Sequence, residues 1–419
     1  MNGSAGWPLN CITLANGKPF FAGTYFPKTQ WANLLGKVNE IWTQDKSKIE
    51  EQANSIANGI SENSMFQPVD GQPIDSSFLV PAAKQWLSMY DKKQGGYDRA
   101  PKFPMPANLE ALLTLYKLTD SQEALDVARL TLTKMGHGGI YDQVGGGFAR
   151  YSTDGYWKVP HFEKMLYDNG QLLSAYAKAY QVTKDPSYKQ IVHETILFMQ
   201  RELLAEDGGF YASLDADSEG EEGLFYVWKK SELEEALGEH ANVIMDYYQI
   251  TQNGNWEHEK NILLPVENTD QILKKYDLKD EELQKIVMDS KGVLLAKRAE
   301  KVRPELDDKI LTAWNGLAII GLTNAYRTFQ DDSYLKLATT AANFLSEKMM
   351  QNDFRLDRNY KNGKTSINGF LDDYAFTIDA FIQMYQVTFD ERWLDKAKSL
   401  TDYVIVHFSD QESSYFFYT

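Results

Sequence analysis

Three times the chain spells tyrosine, four residues, aspartate, two residues, aromatic: Tyr180, Asp185 and Tyr188; Tyr326, Asp331 and Tyr334; Tyr385, Asp390 and Trp393. Each copy closes one apolar-striped helix, turns at the aspartate, whose short side chain suits an Asx or N-cap role, and opens a second helix. A looser copy lies at Tyr116 and Asp120. One helical hairpin cannot bury its own apolar face, so the repetition requires a stacked or closed helical array. The long interval between Tyr180 and Tyr326 leaves room for one diverged copy between Lys230 and Lys301.

The other ends of the hairpins rhyme as well. QGGYD at Gln94 to Asp98, GGIYDQVGGGF at Gly138 to Phe148, DGGFYASLDADSE at Asp207 to Glu219 and the terminal SYFFYT combine small residues, aromatics and usually acids. In a helical array these loops gather on one face. They are expected to line a cavity of aromatic rings and a few carboxylates, which suits a sugar or polyol: rings stack on its CH faces and acids bind its hydroxyls. The densest stretch runs from Gly138 to Leu172 and is the expected site.

Charge narrows the partners. With 43 basic and 59 acidic residues the net charge is −16, which disfavours nucleic acid and anionic membrane surfaces. No run of about 18 apolar residues predicts a membrane span, and MNGSAGWPLN has neither a basic nor an apolar leader region. A cytoplasmic location is expected. The single Cys11 excludes an internal disulfide and a cysteine-based zinc site in this chain. Thiol exchange needs an activated thiolate and usually a resolving partner. Cys11, alone in an apolar strand, is therefore expected to be structural.

At the front, Cys11 to Leu14 and Pro19 to Phe26 read as strands around an Asn16-Gly17 turn. Helical patterns follow from Gln30 to Gln44 and from Ser47 to Asn63, and Met65 to Pro73 reads as a linker. A hairpin with one or two helices is a poor free-standing domain.

Within the main site stretch, Pro160 predicts a helix start. That places His161 and Glu163 in the first turn, beside the positive end of the helix dipole, where imidazole stays neutral and carboxylate is favoured. Met165, Asn169, Leu172, Leu173, Tyr176 and Tyr180 form the inward stripe. A neutral His161 suits a general base. Asp142, Glu163, Asp168, Asp215, Asp217, Asp308 and Asp373 are acids able to complete a pair. Asp307-Asp308 and Asp372-Asp373 also suit helix N-caps, and the acidic run at Ser218 to Gly223 suits a solvated surface. No HExxH or EF-hand pattern occurs, so no metal or cofactor is expected. An epimerase would need a second histidine, and His193 and His407 fall on helices expected to be outer.

GWPLNCITLANGKPFFAGTYFP, APKFP, the whole Gly138 to Leu172 segment, GGFYASLDADSEGEEGLFYVW and RPELDDKILTAWNGLAI resemble the spermatogenesis-associated protein 20 family over nearly the entire chain. The resemblance implies a mainly α fold: an (α/α)6 toroid of the six-hairpin glycosidase type, also similar to N-acylglucosamine 2-epimerases, preceded by a thioredoxin-like α/β domain. It implies that only the back part of that domain is present, at residues 1–64, with a linker at 65–74 and an incomplete toroid over 75–419. Exposed edges of such a fragment are expected to promote self-association. The combined expectation is a carbohydrate-acting protein, either hydrolase or epimerase. Its alternatives are a non-catalytic sugar binder and a redox or protein-interaction scaffold. The site expected is His161, Glu163, Asp142 and Asp217 for chemistry, with Tyr141, Arg150, Trp157, Asp168, Trp228, Trp314, Asp373 and Tyr374 holding the substrate.

Overall fold

A computed structural model describes residues 8–64, 79–410 and 413–419. The chain divides into two compact units, Met1–Phe78 and Leu79–Thr419. The linker expected at 65–74 lies outside the described residues.

In the first unit, β1 (Asn10–Thr13) and β2 (Pro19–Gly23) pair antiparallel around the turn at Gly17, whose φ of 83° explains the glycine. Helices α1 (Lys28–Gln44) and α2 (Lys46–Ser64) follow. The core is Phe20, Ile49 and Ala53, with Ile12 packed against it. Strand alternation then turns Cys11 to the opposite face, and it is exposed. The expectation of a structural, packed Cys11 is therefore corrected.

The second unit is mainly α-helical. It runs through α3 (Leu79–Leu87), α4 (Pro106–Thr119), α5 (Gln122–His137), α6 (Leu166–Thr183), α7 (Pro186–Phe198), α8 (Lys230–Leu237), α9 (Ala241–Tyr247), α10 (Asp270–Tyr276), α11 (Asp280–Arg298), α12 (Thr312–Phe329), α13 (Asp332–Phe344), α14 (Leu371–Thr388) and α15 (Glu391–Phe408). Inner helices pack in the order α4, α6, α12, α14, each paired with the helix that follows it. Such successive inner and outer helices are the plan of an α/α toroid.

The repeated aspartates carry out the turn that their spacing predicts. Asp185, Asp331 and Asp390 are the N-caps of α7, α13 and α15, accepting from the N–H groups of Ser187, Ser333 and Arg392. The preceding helices end at left-handed Lys184, Gln330 and Phe389, whose N–H groups donate to the carbonyls of Tyr180, Tyr326 and Tyr385. In the looser copy the roles shift by one residue: Asp120 is the left-handed C-cap of α4 and Ser121 caps α5. The interval kept for a diverged copy is filled by α8 to α11, which share a separate core of Trp228, Leu233, Ile244, Tyr248, Leu283 and Leu294. Their N-caps are Lys229, His240, Thr269 and Lys279, so the aspartate cap is absent from this segment.

A second repeat, invisible as a motif, ties each loop to an inner helix. Tyr141 bridges Phe148, Leu204 bridges Phe210 and Met350 bridges Leu356 in short antiparallel contacts. The Phe148 N–H donates to Asn169 Oδ1 at 2.7 Å, and Asn169 Nδ2 returns bonds to the carbonyls of Phe148 and Met165. Asn315 does the same for Phe210 and Leu311, also at 2.7 Å for the first bond. In the third copy the Leu356 N–H donates to the Tyr374 hydroxyl. Each asparagine is followed by glycine, and a Cβ on Gly170 would lie 2.9 Å from Ala318 Cα, so α6 and α12 approach with no room for a side chain. Both asparagines are fully buried. Asn169→Ala and Asn315→Ala are each expected to cost about 2–3 kcal/mol, because two backbone carbonyls and an N–H lose their partner. Denaturant melts of the two variants check this; a loss below about 0.5 kcal/mol for either would show that the loop is held some other way.

Candidate functional site at the start of the inner helices

Helix α6 opens at Leu166, six residues after Pro160. The intervening residues are drawn into strand pairing: β3 (Tyr151–Ser152) with β4 (Pro160–His161), and β5 (Lys164–Met165) with β6 (Ser213–Leu214), which is paired on its other edge by Leu306–Asp307. Long-range pairing has outweighed the local proline signal. His161 and Glu163 therefore lie outside the first turn, and Asp168 occupies it instead.

The helix-dipole setting expected for His161 is also replaced, by two carboxylates. Its Nδ1 lies 2.7 Å from Glu222 Oε1, and its Nε2 lies 3.6 Å from Glu163 Oε2. The hydrogen bond to Glu163, reinforced by Glu222, raises its pKa against the opposing effect of burial. Glu163 is held below the usual carboxylate range, first by His161 and then by Arg150, whose Nη1 is 3.3 Å away. Glu222 sits on a tight hairpin of β7 (Asp217–Ser218) and β8 (Glu221–Glu222). Asp217 on that hairpin is exposed, and Glu222 reaches the cluster in its place.

Asp168 lies near Arg150, Tyr167 and Glu163 of this partly exposed group, with only 6% of its surface accessible. Its Oδ2 has no hydrogen-bond partner, nor does Arg150 Nε. Burial raises its pKa to about 8, against the pull of Arg150 and the Tyr167 hydroxyl and with help from the Glu163 charge. Trp314, in the first turn of α12, meets Tyr167 edge-on at 4.9 Å. The structure thus gathers Arg150, His161, Glu163, Asp168 and Trp314 around the start of α6, with Tyr151, Tyr167 and Glu222 added. Tyr167 was legible as the residue beside Asp168. Glu222 was not, because nothing local marks a pairing across 61 residues.

The remaining expected residues are occupied elsewhere. Asp142 is an ion-pair centre: Arg298 Nη1 at 2.9 Å and Lys164 Nζ at 2.8 Å meet its carboxylate, whose backbone-side oxygen also caps Val144 and Gly145. Tyr141 is buried and donates to Glu194 at 2.5 Å. Trp157 is buried with its indole N–H on the Gln94 carbonyl, and Trp228 is buried in the second core with Lys301 over its ring. Asp373 accepts from the N–H groups of Ala313 and Phe370 and from Arg358, which ties the starts of α12 and α14 together. Tyr374 is buried and stacked on Tyr403. These five aromatic and acidic groups, with Asp142, are packed or paired inside the protein, so burial corrects their assignment as ligand-facing. Among the described residues no cluster of three or more His, Cys, Asp or Glu is arranged to hold a metal ion. Among them, too, no helix is long and apolar enough to cross a membrane.

Fold and site together define a two-unit chain whose helical-hairpin unit carries a carboxylate, imidazole and arginine cluster at the inner-helix starts. Residues 1–61 match the family model Thioredox_DsbH, described as a protein of unknown function, DUF255. The chain is 32% identical to human spermatogenesis-associated protein 20 over 95% of its length and 56% of the human protein. It is 30% identical to the uncharacterized protein B0495.5 of Caenorhabditis elegans over 95% of this chain and 60% of that one. Several of its homologues carry the name spermatogenesis-associated protein 20, and the chain spans somewhat over half the length of the relatives it matches. Similar solved structures include the Lin0763 protein of Listeria innocua (TM-score 0.48, 14% identity, 81% of this chain and 71% of that one). They also include an alpha-1,6-mannanase of Salegentibacter sp. (TM-score 0.47, 14% identity, 82% and 75%). A third is the cellobiose 2-epimerase of Bacillus thermoamylovorans (TM-score 0.36, 14% identity, 82% and 91%).

Proposed function

We propose that the helical unit acts on carbohydrate at the start of α6, with Asp168 as general acid and Glu163 as the opposing carboxylate. The observation that carries this reading is the buried Asp168 carboxyl, one oxygen unpartnered, close to the partly exposed Arg150 and Glu163. Two acids whose environments separate their protonation states divide the work of acid–base chemistry between them. At neutral pH Asp168 holds its proton, while Glu163 remains ionised.

Cleavage of a glycosidic bond fits this division. Asp168 gives its proton to the leaving oxygen as the C–O bond breaks; Glu163 takes a proton from the water whose oxygen attacks the sugar carbon. His161 is a positioning residue, held between Glu163 and Glu222. Trp314 and Tyr167 supply ring surface. Epimerisation by two histidines is disfavoured: His137 bonds the Thr133 carbonyl on α5, His193 lies by Tyr334 on outer α7, and His407 packs on Tyr403.

The test is a turnover and thermal-shift screen of the full chain against free sugars, sugar phosphates and oligosaccharides. Glu163→Gln is expected to lower turnover by roughly 10²- to 10⁴-fold. If no saccharide shifts the melt or turns over, or if Glu163→Gln retains full rate, this reading is wrong.

A further inference from the structure

We infer that Phe103 is the stacking platform for an outer sugar unit, so that the site takes an oligosaccharide or other extended glycoside in preference to a monosaccharide. This rests on the reading of the α6 site given above and adds its substrate class.

The observation is a row of three rings running from solvent into the acid–base cluster. The Phe103 ring lies 4.8 Å from that of Tyr151 at 31°, and the Tyr151 ring lies 5.0 Å from the imidazole of His161 at 23°. Phe103 itself is 43% exposed. A single exposed apolar ring is ordinary; this one differs in its support and its direction. The residue before it is clamped, because Lys102 and Ser152 exchange both backbone hydrogen bonds at 2.8 Å. The buried Lys102 ammonium also bonds Asp91 at 2.9 Å and the Gly95 carbonyl. Tyr151 is fixed opposite His161 by the pairing of β3 with β4. The row is therefore held by backbone and buried charge, and it ends on the imidazole that contacts Glu163.

An outward aromatic face held in this way matches the CH face of a pyranose. The two ring-to-ring steps, 4.8 Å and 5.0 Å, span more than one sugar-to-sugar repeat, so the platform meets a unit beyond the one that adjoins the cluster. Arg150 and Glu222, both partly exposed, flank the row with hydrogen-bonding groups for the sugar hydroxyls.

Calorimetric titration of the full chain with glucose, mannose and N-acetylglucosamine and with their linear di-, tri- and tetrasaccharides tests this. Affinity is expected to rise with chain length, up to the trisaccharide. Phe103→Ala is expected to weaken oligosaccharide binding by roughly three- to tenfold and to leave monosaccharide binding within about twofold, since one stacking contact is lost. Phe103→Trp should restore it. If monosaccharides bind and Glu163→Gln still abolishes turnover, but chain length adds nothing or Phe103→Ala changes nothing, the platform is wrong and the α6 reading stands. Absence of binding by every saccharide overturns both.

Discussion

Replacing Asp168 with asparagine is expected to stabilise the protein at neutral pH while removing turnover. The folded carboxyl has its pKa raised to about 8 by burial, whereas in the unfolded chain it ionises near the ordinary value of about 4. Between those two values the folded state binds one more proton than the unfolded state, so stability falls as pH rises through that window. The penalty is absent below about pH 4 and complete above about pH 8. At 1.36 kcal/mol per unit its ceiling is roughly 5 kcal/mol, and relaxation of the site leaves an expected gain for Asp168→Asn on the order of 2 kcal/mol at pH 8. Melting curves of the wild type and Asp168→Asn from pH 4 to pH 9 check it. The two should coincide at the acid end and diverge with rising pH. A variant less stable by a constant amount at every pH would mark Asp168 as a structural carboxylate.

Asp142 is expected to behave in the opposite way. Its carboxylate lies buried between Arg298 and Lys164, and those cations hold its pKa far below the usual range despite burial. Lys164 is itself lowered to about 8, first by burial and also by Arg298, with Asp142 opposing. Removing one member of such a cluster leaves buried charge uncompensated, so Asp142→Ala should cost about 3–5 kcal/mol. The same change releases the turn that presents Gly145 to Gly147, because Asp142 Oδ1 accepts from Val144 and Gly145. Chemical denaturation measures the loss. A decrease below about 1 kcal/mol with intact fold would return Asp142 to the list of functional acids.

The hairpin repeat was legible because its parts are local. An aspartate N-cap and a left-handed residue are each set within one turn, so Asp185, Asp331 and Asp390 do in the structure what their spacing implies. Asn169 and Asn315 act over longer separations, and each pairs with a loop that the sequence only shows as rhyming. The site was legible as a region and misread in detail for the same reason. Pro160 is a valid helix signal taken alone, but β5 pairs with Ser213–Leu214 and the helix waits until Leu166. Trp157, Trp228 and Tyr374 carry the residue types of a sugar site, and only tertiary packing reveals that they are buried. Glu222 was hidden for the reverse reason: an acidic, glycine-bounded run resembles a wet loop, and its role depends on His161 arriving beside it. The exposure of Cys11 was available in principle, since Ile12 fills the opposite face of a two-residue period.

The central claim is that Asp168 carries a proton at neutral pH in a site where Glu163 does not. Infrared difference spectroscopy between the wild type and Asp168→Asn tests it directly. A protonated-carboxyl carbonyl band is expected at pH 7, present in the wild type, absent from Asp168→Asn, retained in Glu163→Gln, and lost as the pH passes about 8. A wild type with no such band at pH 6 to 7, or one whose band vanishes in Glu163→Gln and persists in Asp168→Asn, would contradict it.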